Sequence, residues 1–120
     1  MYRKYKNKKI ETEDGAFDSK REYERWQELK MLEKTGAIAG LKRQVKYELI
    51  PQQREPDTIG KRGGVKKGKV LERECTYVAD FVYSENGKLI AEDTKGFKTE
   101  VYRIKKKLML YVHGIRIRES

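Results

Sequence analysis

The sequence predicts a single α/β domain whose elements run in the order αβββαβ. Two helices with recognisable caps and an Asn-Gly hairpin between them support this order, as do segments of alternating apolar residues. A chain of 120 residues has the length of one domain, which buries about two thirds of its unfolded surface. We therefore expect residues 1–120 to form one domain, without internal repeats.

The Asn-Gly hairpin fixes the register of its two strands. Asn86-Gly87 lies between runs of β-branched and aromatic residues and is typical of a two-residue type I′ turn. Pairing outward from this turn places Asp80 opposite Asp93 on one face of the sheet. Cβ atoms in such a pair are about 5 Å apart, and like charges there repel each other. Lys95, two residues beyond Asp93, returns to the same face.

This cluster of two carboxylates and one lysine is what a metal-dependent phosphodiesterase needs. Chance is the alternative explanation, since 40% of the residues are charged. An exposed sheet face normally pairs opposite charges, however, so two facing acids favour a cation between them. Cys75 and His113 are the only residues of their types and lie far apart in the sequence. Any metal must therefore be held by oxygen atoms, which favours Mg²⁺ or Mn²⁺.

The first helix is predicted to run from a cap at Ser19 to Gly36, and Glu22 is its unusual residue. Ser19 and Glu22 have the spacing of a capping box, in which the carboxylate reaches back to a backbone N–H. On a helical wheel, Glu22 also lies between Trp26 and Leu29, near the middle of the apolar stripe. Glu22 is thus either a helix cap or a carboxylate aimed at the Asp80 and Asp93 face, and the two roles are partly compatible.

The other segments are assigned from alternation and turn composition. Residues 1–9 form a basic arm. Residues 41–50 alternate and are predicted to form a strand that ends at Pro51. Residues 52–69 contain the run KRGGVKKGK and many turn formers, so we interpret them as a flexible basic loop. Residues 115–118 alternate and form the last strand.

The second helix is predicted from a cap at Thr99 to Gly114, with His113 closing it. Its apolar residues at helical spacing are Val101, Ile104, Leu108 and Tyr111. Its basic residues, with one at its start, are Lys98, Arg103, Lys106 and Lys107. A solvated face is one interpretation of the basic residues, but their position directly after the two-acid site favours binding of DNA phosphates. The basic arm and the loop, with Lys66 and Lys67, would add affinity without base recognition.

The overall charge points to an anionic partner. The formal net charge is +10 and the isoelectric point is about 9.6. No apolar run approaches 18 residues, so no membrane span is expected. The start MYRKYKNKK is not followed by an apolar segment, as a signal peptide would require. The single Cys75 cannot form an internal disulfide, which suggests a reducing, cytoplasmic setting.

Four sequence blocks carry a resemblance to a known family. They are FDSKREYERWQELKMLEKTGAI, QVKYELIP, YVADFVY and EDTKGFKTEVYRIKKKLMLY. With the element order, they resemble the PD-(D/E)XK nuclease superfamily and, more closely, a family of small phage and prophage proteins of mostly unknown function. The resemblance covers about residues 7–119. Many superfamily members have Glu where this chain has Asp93, but the hairpin register turns the preceding Glu92 to the opposite face. A turn other than Asn86-Gly87 would reverse that choice.

The resemblance implies a restriction-endonuclease-like domain with a mixed sheet and a catalytic Mg²⁺, for which Mn²⁺ can substitute. Asp80, Asp93 and the backbone carbonyl of Thr94 would hold the metal. Lys95 would orient the attacking water and stabilise the transition state. Glu22 would be a further ligand or would act through water. Superfamily members often place a polar residue near Gln44, although on an alternating strand Gln44 can simply be solvated.

The implied function is a DNA endonuclease selective for branched DNA, such as Holliday junctions, in phage replication or recombination. Junction resolvases of similar size act as homodimers, and the same is expected here, in the cytoplasm of a bacterial host. One alternative is a sequence-tolerant nuclease that acts on replication intermediates or host DNA. Another is a non-catalytic DNA-binding protein whose acids are only structural.

Overall fold

The computed structural model describes residues 9–120, and its centre is a four-stranded mixed sheet. The predicted basic arm lies outside the described residues except for Lys9. The elements in chain order are β1 (Ile10–Thr12), β2 (Gly15–Phe17), α1 (Lys20–Lys34), β3 (Ala39–Ile50), β4 (Gln53–Arg54), β5 (Thr58–Ile59), β6 (Val65–Lys66), β7 (Val70–Glu72), β8 (Cys75–Glu85), β9 (Lys88–Asp93), α2 (Glu100–His113) and β10 (Arg118–Glu119).

The central sheet has the strand order β10-β9-β8-β3. β3, β8 and β9 are antiparallel neighbours, whereas β10 runs parallel to β9. The elements α1, β3, β8, β9, α2 and β10 reproduce the predicted order αβββαβ. The predicted α/β class and the mixed sheet are therefore confirmed. None of the helices in residues 9–120 is long and apolar enough to cross a membrane.

The hairpin has the predicted register. Glu85 pairs with Lys88, and Phe81 pairs with Glu92. Asn86 and Gly87 have φ angles of 51° and 77°, as both residues of a type I′ turn require.

Both predicted helix caps are also present. Ser19 Oγ accepts a hydrogen bond from the backbone N–H of Glu22, and Thr99 Oγ1 accepts one from that of Tyr102. α2 ends at His113, and Gly114 follows in the left-handed conformation.

Three segments differ from the sequence prediction. β1 and β2 form an N-terminal hairpin that the sequence did not reveal. The segment 52–69, interpreted as a loop, contains β4, β5 and β6, of which β4 pairs with β7 and β5 with β6, both antiparallel. The strand expected at 115–118 is only Arg118–Glu119. These strands are two or three residues long, and in such short segments periodicity is a weak signal.

The two faces of the sheet carry separate apolar clusters. Phe17, Leu29, Phe81 and Tyr83 pack beneath α1, whereas Tyr77, Ala79, Val82 and Met109 belong to the cluster beneath α2. Ala79 and Phe81 are two residues apart on one strand, yet they belong to different clusters. On β3 the same change occurs between Arg43 and Val45, around Gln44, whose φ is 52°. Both strands thus interrupt their alternation at one level, which contains Gln44 and Asp80.

The apolar stripe predicted on α2 is mostly turned away from the sheet. Val101, Ile104 and Tyr111 are 62%, 57% and 88% exposed, while α2 buries Tyr102 and Met109 instead. Helical spacing identifies an apolar face, but it does not say what covers that face.

Candidate metal centre

Asp80 and Asp93 lie side by side, as the hairpin register predicts. Their carboxylates are close enough to share a hydrogen bond, and Asp93 is only 2% exposed. The Tyr77 hydroxyl donates to Asp93 Oδ2 at 2.6 Å, and the Thr94 backbone N–H donates to Asp80 Oδ2 at 2.9 Å. Each carboxylate is therefore held in place by a neutral donor.

The electrostatics of this pair favour a cation. Burial, the shared hydrogen bond and the charge of Asp80 together raise the pKa of Asp93 from 3.8 to about 8. At neutral pH, Asp93 then keeps a proton unless another positive charge takes its place. A divalent ion bound by oxygen atoms can do so, and every side-chain donor at the centre of the site is an oxygen of the type that Mg²⁺ prefers. The residues present thus suit the predicted metal.

Lys95 stands beside the pair. Its Nζ lies 3.7 Å from Asp93 Oδ2 and 4.8 Å from the centre of the Tyr102 ring, and its side chain is 32% exposed. The cavity next to it is lined by both aspartates and by Asp18, Gln44, Thr99 and Lys105. The ammonium group thus borders the space where a reacting group would lie.

Glu22 has features of both interpretations that the sequence left open. Its Oε2 accepts a hydrogen bond from the Asp18 backbone N–H at 3.3 Å, as a helix cap does. It is also buried, with 4% exposure, and both burial and the charge of Asp80 raise its pKa. Arg43 Nη2 lies 3.7 Å from its Oε1. Within residues 9–120, however, no group of three or more acidic, His or Cys side chains is arranged to hold a metal ion. Glu22 thus lies near the pair without joining it as a third carboxylate.

Gln44 lies at the site, although its position on an alternating strand was only a weak indication of this. Its Nε2 lies 3.4 Å from Asp80 Oδ1, a long hydrogen bond. The left-handed backbone at Gln44 is rare for a residue other than glycine, and such conformations cluster at functional sites. The role of Tyr77 was not predicted because it depends on the interrupted alternation of β8. Neither this interruption nor the left-handed backbone of Gln44 has an evident signal in the sequence.

Glu92 lies on the opposite face, as predicted. Its carboxylate accepts hydrogen bonds from Arg25 Nε at 2.6 Å, from Arg25 Nη2 at 3.0 Å and from the Tyr83 hydroxyl. Burial acts to raise the pKa of Glu92, but these hydrogen bonds outweigh it and hold the pKa below its usual value. Glu92 is therefore fully engaged beneath α1, on the other face from the metal centre.

The predicted basic residues of α2 fall into two groups. Lys98 and Lys106 lie 3.1 and 3.2 Å from Glu119 Oε1. The Tyr102 hydroxyl and these two lysines lower the pKa of Glu119 to about 2. Arg103 and Lys107 line a pocket together with these residues and form no ion pair within the described part of the chain. Arg116, which was not among the predicted residues, lines the same pocket. Lys66 and Lys67 lie apart, on the β5–β6 extension.

Comparison with known protein families gives a match over almost the whole chain. Residues 2–117 match the family described as "Protein of unknown function (DUF1064)". The chain belongs to this family. The DUF1064 match includes every residue of the candidate metal centre. No curated protein and no solved structure matches the chain. The family description names no activity.

Proposed function

We propose that this DUF1064 chain is a Mg²⁺-dependent DNA endonuclease with a restriction-endonuclease-like domain of the PD-(D/E)XK type. The observation that carries the proposal is the buried Asp80 and Asp93 pair with Lys95 beside it. Two facing carboxylates destabilise a fold unless a bound proton or cation offsets their repulsion. Here the pKa of Asp93 is raised to about 8, as is common at functional sites. The order αβββαβ around the pair supports the domain type.

Each residue has a separate task. Asp80 and Asp93 would hold the metal, with the Thr94 backbone carbonyl as the third protein ligand and Mn²⁺ as a substitute ion. When bound, the ion would lower the pKa of a water and offset charge on the scissile phosphate. Lys95 would orient the attacking water and stabilise the charge that develops in the transition state. Gln44 positions Asp80, while Glu22 acts on the site through water.

DNA phosphates are bound by the basic surface of α2 and the C-terminal segment. Arg103, Lys107 and Arg116 form no ion pair among the described residues and so remain available to phosphate oxygens. Lys98 and Lys106 share Glu119, which leaves a positive balance at that point as well. With a net charge of +10, affinity arises largely from release of counterions and falls steeply with salt.

The preferred substrate is branched DNA, and the active form is a homodimer. The exposed stripe Val101, Ile104 and Tyr111 supports the dimer, because a helix face this apolar is normally covered. Glu100 and Lys105 lie on opposite flanks of the stripe. In a two-fold pair of parallel α2 helices, Glu100 of one subunit meets Lys105 of the other. Two sites held at a fixed separation favour a substrate that offers a phosphate to each.

Cleavage of matched linear, flapped and four-way DNA tests the activity. We expect paired nicks in the four-way substrate with Mg²⁺ or Mn²⁺, and none with EDTA. Asp80→Asn should be inactive, whereas Glu74→Gln, an exposed acid near the start of β8, should keep full activity. DNA binding without cleavage under all of these conditions would instead favour a non-catalytic DNA-binding protein. Equal cleavage of all three substrates would favour a sequence-tolerant nuclease.

Sedimentation of Ile104→Glu tests the dimer. The charge should disrupt the stripe and give a monomer, while Lys88→Glu, at the distant hairpin turn, should remain dimeric. A wild-type protein that is monomeric both alone and on DNA would contradict the dimer.

A further inference from the structure

The segment between β3 and β8 is an extension rather than part of the globular body. We call residues 53–72 the ribbon. All of its residues except Gly60 and Gly68 are exposed. The radius of gyration of the described chain is 19.2 Å, compared with about 13 Å for a compact domain of this size. The ribbon therefore projects into solvent without covering any apolar surface of the domain.

The ribbon is nevertheless an ordered two-stranded structure. β4 pairs with β7 and β5 with β6, and between these pairs the Glu55 backbone N–H donates to the Lys69 carbonyl at 2.8 Å. Gly68 is enclosed at the middle of the ribbon, where an added Cβ would lie 1.8 Å from the Glu55 carbonyl oxygen. Its N–H donates to Asp57 Oδ1 at 3.0 Å. These contacts hold the strands together along most of the ribbon's length.

The tip of the ribbon combines apolar and basic residues. Ile59 pairs with Val65 across the strands, and they are 80% and 75% exposed. Residues 58–67 contain four basic residues and no acid, namely Lys61, Arg62, Lys66 and Lys67. None of the four forms an ion pair within the described residues. This exposed apolar pair, framed by four cations, belongs to neither apolar cluster of the domain.

We propose that the ribbon inserts into DNA at a branch point, where Ile59 and Val65 contact the faces of unstacked bases. A two-stranded ribbon is narrow enough to enter a groove of DNA, and apolar side chains can wedge between base steps. The four basic residues bind the flanking phosphates. Unstacking costs less at a branch than within a duplex, so the wedge selects branched DNA. This inference rests on the proposed function, and the paired strands of the ribbon replace the flexible loop expected from the sequence.

The test uses the full chain and a four-way DNA with 2-aminopurine at the branch, beside a linear duplex of the same sequence. Binding is measured in Ca²⁺ or EDTA, so that cleavage is not required, and cleavage is measured separately in Mg²⁺. The two variants are Ile59→Ser/Val65→Ser and Lys61→Ala/Arg62→Ala. Circular dichroism and thermal unfolding confirm that each variant is folded.

The wild-type protein should raise the fluorescence of 2-aminopurine, because the 2-aminopurine base at the branch becomes unstacked. Ile59→Ser/Val65→Ser should abolish this rise and reduce the preference for four-way DNA by about tenfold, with linear binding retained. Lys61→Ala/Arg62→Ala should weaken binding to four-way DNA and reduce the slope of log affinity against log salt by about 2.

Unchanged fluorescence and preference in Ile59→Ser/Val65→Ser would overturn the inference. The same holds if that variant alters the oligomeric state but not DNA binding, since the tip would then contact protein. A wild type that binds and unstacks four-way DNA without cleaving it would support the ribbon's role and contradict the nuclease. If the wild type cleaves DNA but the ribbon variants behave like the wild type, the result would support the nuclease and contradict the ribbon's role. A protein that binds no DNA would contradict both.

Discussion

Glu92 and Asp93 are adjacent in the chain, and both are buried, but on opposite faces of the sheet. Glu92 is 0% exposed and is bound by Arg25 of α1, whereas Asp93 is 2% exposed and accepts a hydrogen bond from Tyr77. The Glu92 carboxylate is thus paired with the positive charge of Arg25. The Asp93 carboxylate instead faces the carboxylate of Asp80, and the cation beside it is Lys95, whose Nζ lies 3.7 Å from Asp93 Oδ2. One peptide bond thus separates a structural acid from a candidate metal ligand.

Replacing Asp93 should stabilise the metal-free protein. Its pKa is raised from 3.8 to about 8, so the folded state retains a proton that the unfolded state has lost between these pH values. The free energy of unfolding should therefore fall as the pH rises from about 4 to 8. Asp93→Asn should remove this dependence and raise the melting temperature at pH 9 by about 4 °C or more. Melting curves of Asp93→Asn and Glu74→Gln from pH 5 to 9 check this, and a loss of fold would contradict it.

The same pKa predicts a pH-dependent affinity for Mg²⁺. The ion and the proton compete for Asp93, so affinity should rise with pH up to about 8 and level off above it. Calorimetric titration with MgCl₂ at pH 6, 7, 8 and 9 measures this and should also detect proton release at the lower values. Affinity that is constant across this range would mean that Asp93 is not a ligand.

Lys95 should matter for rate more than for binding. Lys95→Ala removes one electrostatic stabiliser of the transition state, which should cost about 2 to 4 kcal/mol of barrier, or roughly 30- to 1,000-fold in rate. DNA affinity should hardly change. Single-turnover cleavage and binding assays separate the two effects, with Lys88→Ala, an exposed lysine at the distant hairpin turn, as a control. If rate and affinity fell together, Lys95 would be a phosphate-binding residue only.

Gln44 should show opposite effects on stability and activity. Its left-handed backbone costs about 1 to 2 kcal/mol in a residue with a Cβ, whereas glycine adopts it freely. Gln44→Gly should therefore be more stable than Gln44→Ala by about 1 kcal/mol. Both variants lose the contact with Asp80 and should cleave DNA more slowly. Urea unfolding with cleavage rates measures both properties, and full activity in both variants would exclude Gln44 from the site.

Arg25 and Glu92 should affect stability alone. Arg25→Met leaves a buried carboxylate without its charged partner, which should cost about 3 to 5 kcal/mol. Arg25→Met/Glu92→Leu should recover much of this loss, because no unpaired charge remains. Mg²⁺ affinity should stay at the wild-type value in the folded double variant. A loss of metal binding there would implicate Glu92 in the site, contrary to its position in the sheet.

Prediction from sequence worked where local chemistry decides conformation. The turn at Asn86-Gly87 is a local property, and it set the hairpin register that brings Asp80 and Asp93 together. The caps at Ser19 and Thr99 are also local, and they placed both helices. Residues 53–72 were missed because their strands are two or three residues long, too short for alternation to be recognised.

The sequence alone determined which residues can share the site, because side-chain alternation and turn geometry act over a few neighbouring residues. It determined the αβββαβ order, the pairing that brings two acids together, and the lysine beside them. Only the tertiary structure decided how strongly those groups interact. Burial by distant elements raises the pKa of Asp93, the Arg25 side chain fixes Glu92 on the other face, and the left-handed Gln44 turns a strand at the level of Asp80. Each depends on segments far apart in the chain, and only packing brings such segments into contact.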